Sequence, residues 1–271
     1  MPELPEVETT RRGIAKQIEN QVIDKIIIRQ AKLRWPIPAN IKNKLKGQKV
    51  NSVERRGKYL LVKTDAGTLI MHLGMSGSLR VIDITTNAEK HDHFDLVFKN
   101  GTCLRLRDPR RFGAVLFTTG DPLEHKLIKD LGPEPLDKAF NADYLFEKSR
   151  KRSINIKAFI MDSKIVVGVG NIYASESLFK AGIHPKKSAG KVSREKYSVL
   201  VKSIKVVLKA AIKSGGTTLR DFTKSDGKPG YFKQELNVYG RKGEPCVNCG
   251  KPITHAVIAQ RATYYCTQCQ K

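Results

Sequence analysis

No stretch of the 271 residues approaches the run of about 18 apolar positions that a membrane-spanning helix needs, so a helical membrane protein is excluded. Acidic residues are scarce: 26 Asp and Glu stand against 50 Lys and Arg, leaving a net charge of +24. Internal repeats and low-complexity tracts are absent, which removes solenoids and fibrous folds. A basic, apolar leader is not expected either. The chain opens Met1-Pro-Glu-Leu-Pro-Glu-Val-Glu8, acidic and proline-containing, and the expectation is a mature chain that starts here and works in the cytoplasm, away from membranes. At 28% charged and 40% hydrophobic residues the composition is that of a folded protein, so the imbalance is one of sign and not of disorder. The length suits two domains, each able to bury a core.

An excess of this size suits a polyanionic partner, because each Lys or Arg that neutralises a phosphate releases condensed counterions. Nucleic acid is the foremost candidate; solubility or attraction to anionic lipid is the plainer alternative. Clusters at Arg55-Arg56-Gly57-Lys58, Arg105 to Arg111 and Lys148 to Arg152 could each be a solvated face.

Four of the five cysteines form two close pairs, Cys246-Val-Asn-Cys249 and Cys266-Thr-Gln-Cys269. That spacing fits a closed four-thiolate zinc site in which two knuckles flank a hairpin. Disulfides are disfavoured without a secretion signal. Such a metal stabilises its module, by on the order of 10 kcal/mol, and does no Lewis-acid work. Cys103 lies in an alternating pattern and is expected to be an ordinary buried or half-buried thiol.

Along the chain, Val7, Ile14 and Ile18 recur at helical spacing from Leu4 to about Glu19, with Pro5, Glu6 and Glu8 in the first turns where a helix favours them. From Val22 to Thr118 the period is two. Strands are predicted at Lys25–Ile28, Tyr59–Val62, Thr68–His72 and Ser78–Ile82. Asn100-Gly101 joins Phe94–Phe98 to Thr102–Arg107 in a hairpin. After Gly132-Pro133-Glu134-Pro135 the pattern turns helical, with helices predicted at 142–150, 154–161, 172–180 and 193–214. Val167-Gly-Val-Gly-Asn171 precedes one of them as a candidate phosphate-binding turn. Residues 217–231, polar and glycine-rich, are either a functional lid or a linker.

Pro2 follows the initiator Met, whose removal would leave a secondary amine at the chain end. Such an amine titrates near pH 7.7–8.0 and is in part nucleophilic at neutral pH. Its attack on a sugar C1′ gives an obligately cationic iminium, an electron sink for elimination. Glu3 and Glu6 offer carboxylates for proton transfer. Read alone, Pro-Glu is more simply a helix start.

The opening Pro2-Glu-Leu-Pro-Glu-Val-Glu8, Arg55-Arg-Gly-Lys58-Tyr59, His72-Leu-Gly-Met75-Ser-Gly77, Lys90-His-Asp-His93, Asp108-Pro-Arg-Arg-Phe-Gly113, Gly168-Val-Gly-Asn-Ile-Tyr173 and the four-Cys arm occur in order along the chain. Together they resemble the bacterial formamidopyrimidine-DNA glycosylases, the 8-oxoguanine DNA glycosylase/AP lyases. The resemblance implies an α+β protein in three parts. Residues 1–131 would form an N-terminal antiparallel β-sandwich with a catalytic N-terminal helix. Residues 132–240 would form a helix-two-turns-helix domain with lesion-recognition loop 217–231, and 241–271 a zinc-finger hairpin.

It further implies the roles of individual residues. Pro2 is the nucleophile, Glu3 the acid of base excision and Glu6 its support; Lys58 is the proton donor of β-elimination and Arg261 serves δ-elimination. Met75, Arg110 and Phe112 fill the stack vacated by the everted base, although Met75 and Phe112 read alone would be core. His91, Arg110, Arg152, Lys157 and Asn171 contact DNA. Cys246, Cys249, Cys266 and Cys269 hold one structural zinc. The implied partner is double-stranded DNA containing oxidised purines, bound by a monomer. Two alternatives are an endonuclease VIII-type enzyme for oxidised pyrimidines and a non-enzymatic zinc-ribbon nucleic-acid binder. Leu4 and the Met75, Arg110, Phe112 set favour the purine branch.

Overall fold

A computed structural model describes residues 2–215 and 236–271. The 217–231 segment therefore lies outside the described residues. The chain divides into two compact units, one over residues 2–129 and one over 130–213 with 236–271.

The first unit opens with α1 (Leu4–Ile18). Its strands are β1 (Ile23–Ile28), β2 (Ser52–Arg56), β3 (Tyr59–Thr64), β4 (Gly67–His72), β5 (Ser78–Asp83), β6 (Asp92–Phe98), β7 (Thr102–Arg107) and β8 (Ala114–Thr118), with a short α2 (Ile41–Leu45) after β1. They pair antiparallel into two four-stranded sheets, in the orders β1-β6-β7-β5 and β2-β3-β4-β8. Alternation puts Leu60, Val62, Leu69 and Met71 of one sheet and Leu79, Leu96, Leu104 and Leu106 of the other into one core with Val7, Ile14 and Ile18 of α1. This is the expected sandwich.

Strands β2 and β8 and helix α2 escape the sequence patterns. In β2 only Val53 is fully buried, and the run Glu54-Arg55-Arg56 masks its alternation. The charged cluster from Arg105 is likewise not a solvated face throughout. Arg105 is 2% exposed and donates to fully buried Asp95 through Nε and a terminal nitrogen, both at 2.9 Å, while Arg29 donates to the same carboxylate at 2.7 Å. Asp95 is held below the usual carboxylate range because these arginine bonds outweigh the opposing effect of burial. Cys103 is fully buried, as expected.

The second unit contains α3 (Ala142–Ser149), α4 (Ile156–Met161), α5 (Asn171–Ala181) and α6 (Arg194–Lys213), followed by the hairpin β9 (Thr254–Ile258) and β10 (Arg261–Tyr265). Helix α4 starts two residues later than its periodicity predicts because the Asn155 side chain accepts from Ala158 N at 2.8 Å and caps it. Helix α5 ends at Gly182, whose φ of +66° supplies the left-handed C-cap. Along α6, Tyr197, Leu200, Val201, Ile204, Leu208 and Ala211 are buried on one face, against α3 and α5.

Ile14 is fully buried where α1 meets the sandwich core. Ile14→Ala is expected to cost about 2–5 kcal/mol, visible as a lower urea midpoint with unchanged slope; a midpoint matching the parent would contradict this packing.

Candidate active site and zinc hairpin

In the first unit, α1 begins one residue beyond Glu3. Glu3 and Glu6 form a reciprocal capping box, the Glu3 amide donating to Glu6 Oε2 at 2.8 Å. Pro2 is buried, Glu3 is 2% exposed and Glu6 fully buried. The start of α1 is thereby fixed, with two carboxylates beside the chain's second residue and the positive end of a helix dipole under them.

Lys58 occupies the turn between β2 and β3, next to Gly57 at φ +57°. Tyr59 pairs across the sheet with His72, their rings 4.9 Å apart. His72 Nδ1 accepts from Gly74 N at 3.0 Å, which leaves its hydrogen on Nε2. Burial, then the charges of Lys58 and Arg34, push His72 down to about 4, so the ring is neutral at physiological pH. His72 lies in the His72–Gly77 segment, and residue type and spacing assign it no role; its partner Tyr59 is set by strand register.

Two loops carry the proposed stack-filling residues. Gly74, at φ +62°, sits so tightly that a Cβ there would lie 2.4 Å from the Phe112 carbonyl carbon. Fully buried Asp108 accepts from Gly113 N at 2.7 Å and from Ser76 Oγ at 3.4 Å. The Met75 loop and the 108–113 loop are therefore held as one piece. Arg111 adopts φ +55°, and on either side of it Arg110 and Phe112 point outward, the guanidinium 5.0 Å from the ring centroid. Phe112 is 45% exposed and Met75 half-buried, so neither is the core residue its type suggests. His91 is half-buried beside His93, with ring centroids 6.3 Å apart.

In the second unit, Gly168 takes φ +81° and Gly170 caps α5, leaving Asn171 at the helix's first position. Lys157, which the resemblance places among the DNA contacts, is enclosed. It is 1% exposed, and its ammonium donates to Asn171 Oδ1 at 2.5 Å, Thr263 Oγ1 at 2.7 Å and Ala262 O at 3.1 Å. Asn171 Nδ2 donates to Ala262 O at 2.9 Å. Together they tie α4 and α5 to β10, two residues from Arg261. Arg261 is exposed and follows Ala259 and Gln260, both left-handed at φ +48° and +59°. Arg152 is exposed, next to Lys151 at φ +61°.

Glu176, absent from the sequence reading, is 3% exposed on α5; it accepts from the amides of Asn237, Val238 and Tyr239 at 2.9–3.0 Å and from Asn237 Nδ2 at 2.9 Å. One carboxylate thus fixes the strand of chain that leads into the hairpin. Nothing in local sequence distinguishes it from a solvent-facing helix acid.

The four thiolates of Cys246, Cys249, Cys266 and Cys269 lie within 4.8 Å of one another, with Sγ separations of 3.9 Å for Cys246–Cys269 and 3.5 Å for Cys249–Cys266. A tetrahedral zinc with Zn–S bonds of about 2.3 Å requires sulfurs about 3.8 Å apart. The set fits one structural zinc, which would draw the crowded sulfurs into their charged form.

A sandwich whose first helix starts at the chain's fourth residue, joined to a helical unit ending in a four-thiolate hairpin, defines a zinc-finger protein of the helix-two-turns-helix class. Comparison with known proteins narrows the class to a family. The model of the formamidopyrimidine-DNA glycosylase N-terminal domain matches residues 1–115, that of its H2TH domain 131–223, and that of the zinc finger found in FPG and IleRS 243–271. Proteins named formamidopyrimidine-DNA glycosylase from Alkalilimnicola ehrlichii and Idiomarina loihiensis are 57% and 56% identical, with all of each chain covered. Among solved structures, Lactococcus lactis Fpg in complex with abasic-site DNA superposes with a TM-score of 0.91 at 36% identity over the full length of both chains. MutM (FPG) from Thermus thermophilus gives 0.88 at 36% identity, over 99% of this chain and 98% of that one. The chain belongs to the formamidopyrimidine-DNA glycosylase family.

The proton NMR signals of His72 are expected to stay in the neutral form until about pH 4. Because the unfolded histidine protonates near 6.5, the stability His72 contributes is full above that pH and declines as pH falls towards 4; titration near 6.5 would refute the burial argument. Cys249→Ser is expected to release zinc, read by metal analysis, and to loosen the hairpin. Full retention of one zinc would show that the four-thiolate site is wrong.

Proposed function

We propose that this chain is a base-excision-repair DNA glycosylase with AP lyase activity that everts and removes oxidised purines, 8-oxoguanine and formamidopyrimidines, from duplex DNA. The observation that carries the reading is the buried Glu3–Glu6 capping box directly behind Pro2, in a chain that belongs to this family over its whole length. Solved relatives from Lactococcus lactis were crystallised with DNA containing Fapy-dG or an abasic site, which supports the same class of partner here.

With Met1 removed, the Pro2 amine forms a bond to C1′ as the glycosidic bond breaks, and Glu3 supplies a proton to the sugar or base. Glu6 keeps Glu3 in place. Loss of the amine proton and opening of the sugar ring at C1′–O4′, with a proton delivered to O4′, turn the adduct into an iminium, which acidifies C2′. Loss of a C2′ proton breaks the C3′–O bond, with Lys58 as the proton donor of this β-elimination. A second elimination breaks the C5′–O bond, served by Arg261 at the hairpin tip. The zinc held by Cys246, Cys249, Cys266 and Cys269 supplies the hairpin's rigidity and takes no part in these steps.

Extruding a base costs a few kcal/mol. Met75, Arg110 and Phe112 offset that cost by filling the vacated stack, and the exposure of Phe112 supports this use. His91, Arg152 and Asn171 hold phosphates, Asn171 at the amino end of α5. Lys157 joins them as a DNA contact, its ammonium held on Asn171 Oδ1. The domains are 1–131, 132–240, which includes the lesion-recognition segment 217–231, and 241–271. The enzyme acts as a monomer in the cytoplasm.

Borohydride trapping on an 8-oxoguanine duplex tests the assignment. A covalent adduct lost in Pro2→Gly is expected, together with a mass lacking Met1. Binding with neither adduct nor strand cleavage would overturn the enzymatic reading, and equal or faster turnover of thymine glycol would move the protein to the pyrimidine branch.

A further inference from the structure

The Glu8 side chain is only 10% exposed on the second turn of α1, and its carboxylate is ringed by arginine. Oε1 accepts from Arg11 at 2.9 Å and from Arg12 Nε at 2.7 Å; Oε2 accepts from Arg11 Nε and Arg55 Nε, both at 3.1 Å. Arg11 and Arg12 are on the same helix, but Arg55 is on β2. The Arg55 guanidinium then reaches on, donating to the Gly57 carbonyl at 2.9 Å. That carbonyl belongs to the peptide whose nitrogen is Lys58. A continuous polar chain thus runs from α1, through one carboxylate and one guanidinium, to the turn that carries Lys58.

A second tie closes beside it. Arg11 donates to Val53 O at 3.2 Å, and Glu19, at the far end of the helix, accepts from Val53 N at 2.8 Å. These two fix the middle of β2 against α1. The Glu8–Arg55 link extends the attachment to the end of the strand, at the two-residue turn closed by the Arg56–Tyr59 pair with Gly57 at φ +57°. Although burial acts against the charge, the three arginines hold Glu8 down to about 2, so the link stays ionised across the working pH range.

We propose that Glu8 is a positioning residue for the elimination step, holding the Lys58 turn, through Arg55, in fixed register with the helix that begins just after Pro2. The inference rests on the roles given above to Pro2 and Lys58. Glu8 touches no reacting atom; it sets where one proton-transfer group stands relative to the amine that forms the adduct. Displacement of such a group by about 1 Å can cost on the order of a hundredfold in rate. The nucleophilic step, which needs only α1 and its capping box, is insulated from the loss.

The test uses the full-length, zinc-loaded protein and a duplex containing one abasic site, under single turnover. For Glu8→Gln, borohydride trapping is expected to stay within about twofold of the parent while strand scission slows by roughly tenfold or more. Arg55→Lys keeps the charge but a single ammonium cannot span both Glu8 and Gly57 O, so it should show the same split. The double variant should cut no more slowly than either single one, since both break the same link. Arg55→Lys alone carries the test if Glu8→Gln does not fold. Trapping and scission falling together, or single-variant losses that add, would reduce Glu8 to a structural residue and overturn the proposal. Lys58→Gln is the control: parental scission there would defeat the role of Lys58 itself, whereas slow scission in Lys58→Gln beside parental scission in Glu8→Gln defeats only the link.

Discussion

A chain end can act as a reagent only if it is held still, and the main difficulty of this fold is that chain ends fray. Helix α1 meets the difficulty by starting at Leu4 and burying Val7, Ile14 and Ile18 in the sandwich core. The capping box between Glu3 and Glu6 then satisfies amides at the one place where a helix has no internal partners for them. Both carboxylates are buried, so each is placed by the core as well as by the helix. Pro2, Glu3 and Glu6 inherit their positions from this anchorage.

The same economy recurs in the second unit with the sign reversed. There a buried cation, Lys157, satisfies an asparagine side chain, a hydroxyl and a carbonyl drawn from α5 and β10. Glu176 does the complementary work with backbone amides of 237–239. Buried ionic groups are costly unless every donor or acceptor is matched, and a fully matched group admits few alternative arrangements. The residues beside these anchors, half-buried Asn171 and exposed Arg261, need few contacts of their own to be well placed.

How much of this was legible beforehand depended on the range of the interaction. The strands, the Asn100-Gly101 hairpin, the long amphipathic helix and the cysteine knuckles follow from spacing within a few residues, and all are present. Strand β2 was hidden because Glu54, Arg55 and Arg56 interrupt its alternation, and α2 because five residues are too few for a helical period. Glu8, Asp108, Lys157 and Glu176 look like surface residues in sequence. Each becomes an anchor through partners well separated along the chain, 32 positions away for Asp108 with Ser76 and 106 for Lys157 with Thr263. Phe112 erred in the other direction: an aromatic that composition assigns to a core stands 45% exposed because Gly74 and Asp108 fix the loop beneath it.

These anchors also change what the charge of +24 means. Arg29 and Arg105 neutralise Asp95, Arg11, Arg12 and Arg55 share Glu8, and Lys157 is enclosed. Buried Arg105 and Lys157 are out of reach of a polyanion and add little to the salt dependence of binding, whereas Glu8 cancels only one of the three charges around it and Arg12 keeps its side chain 56% exposed. The working surface charge is carried by residues left exposed, among them Arg110, Arg152 and Arg261. A net count therefore overstates the number of phosphate contacts, and a salt-dependence slope would measure the exposed fraction instead.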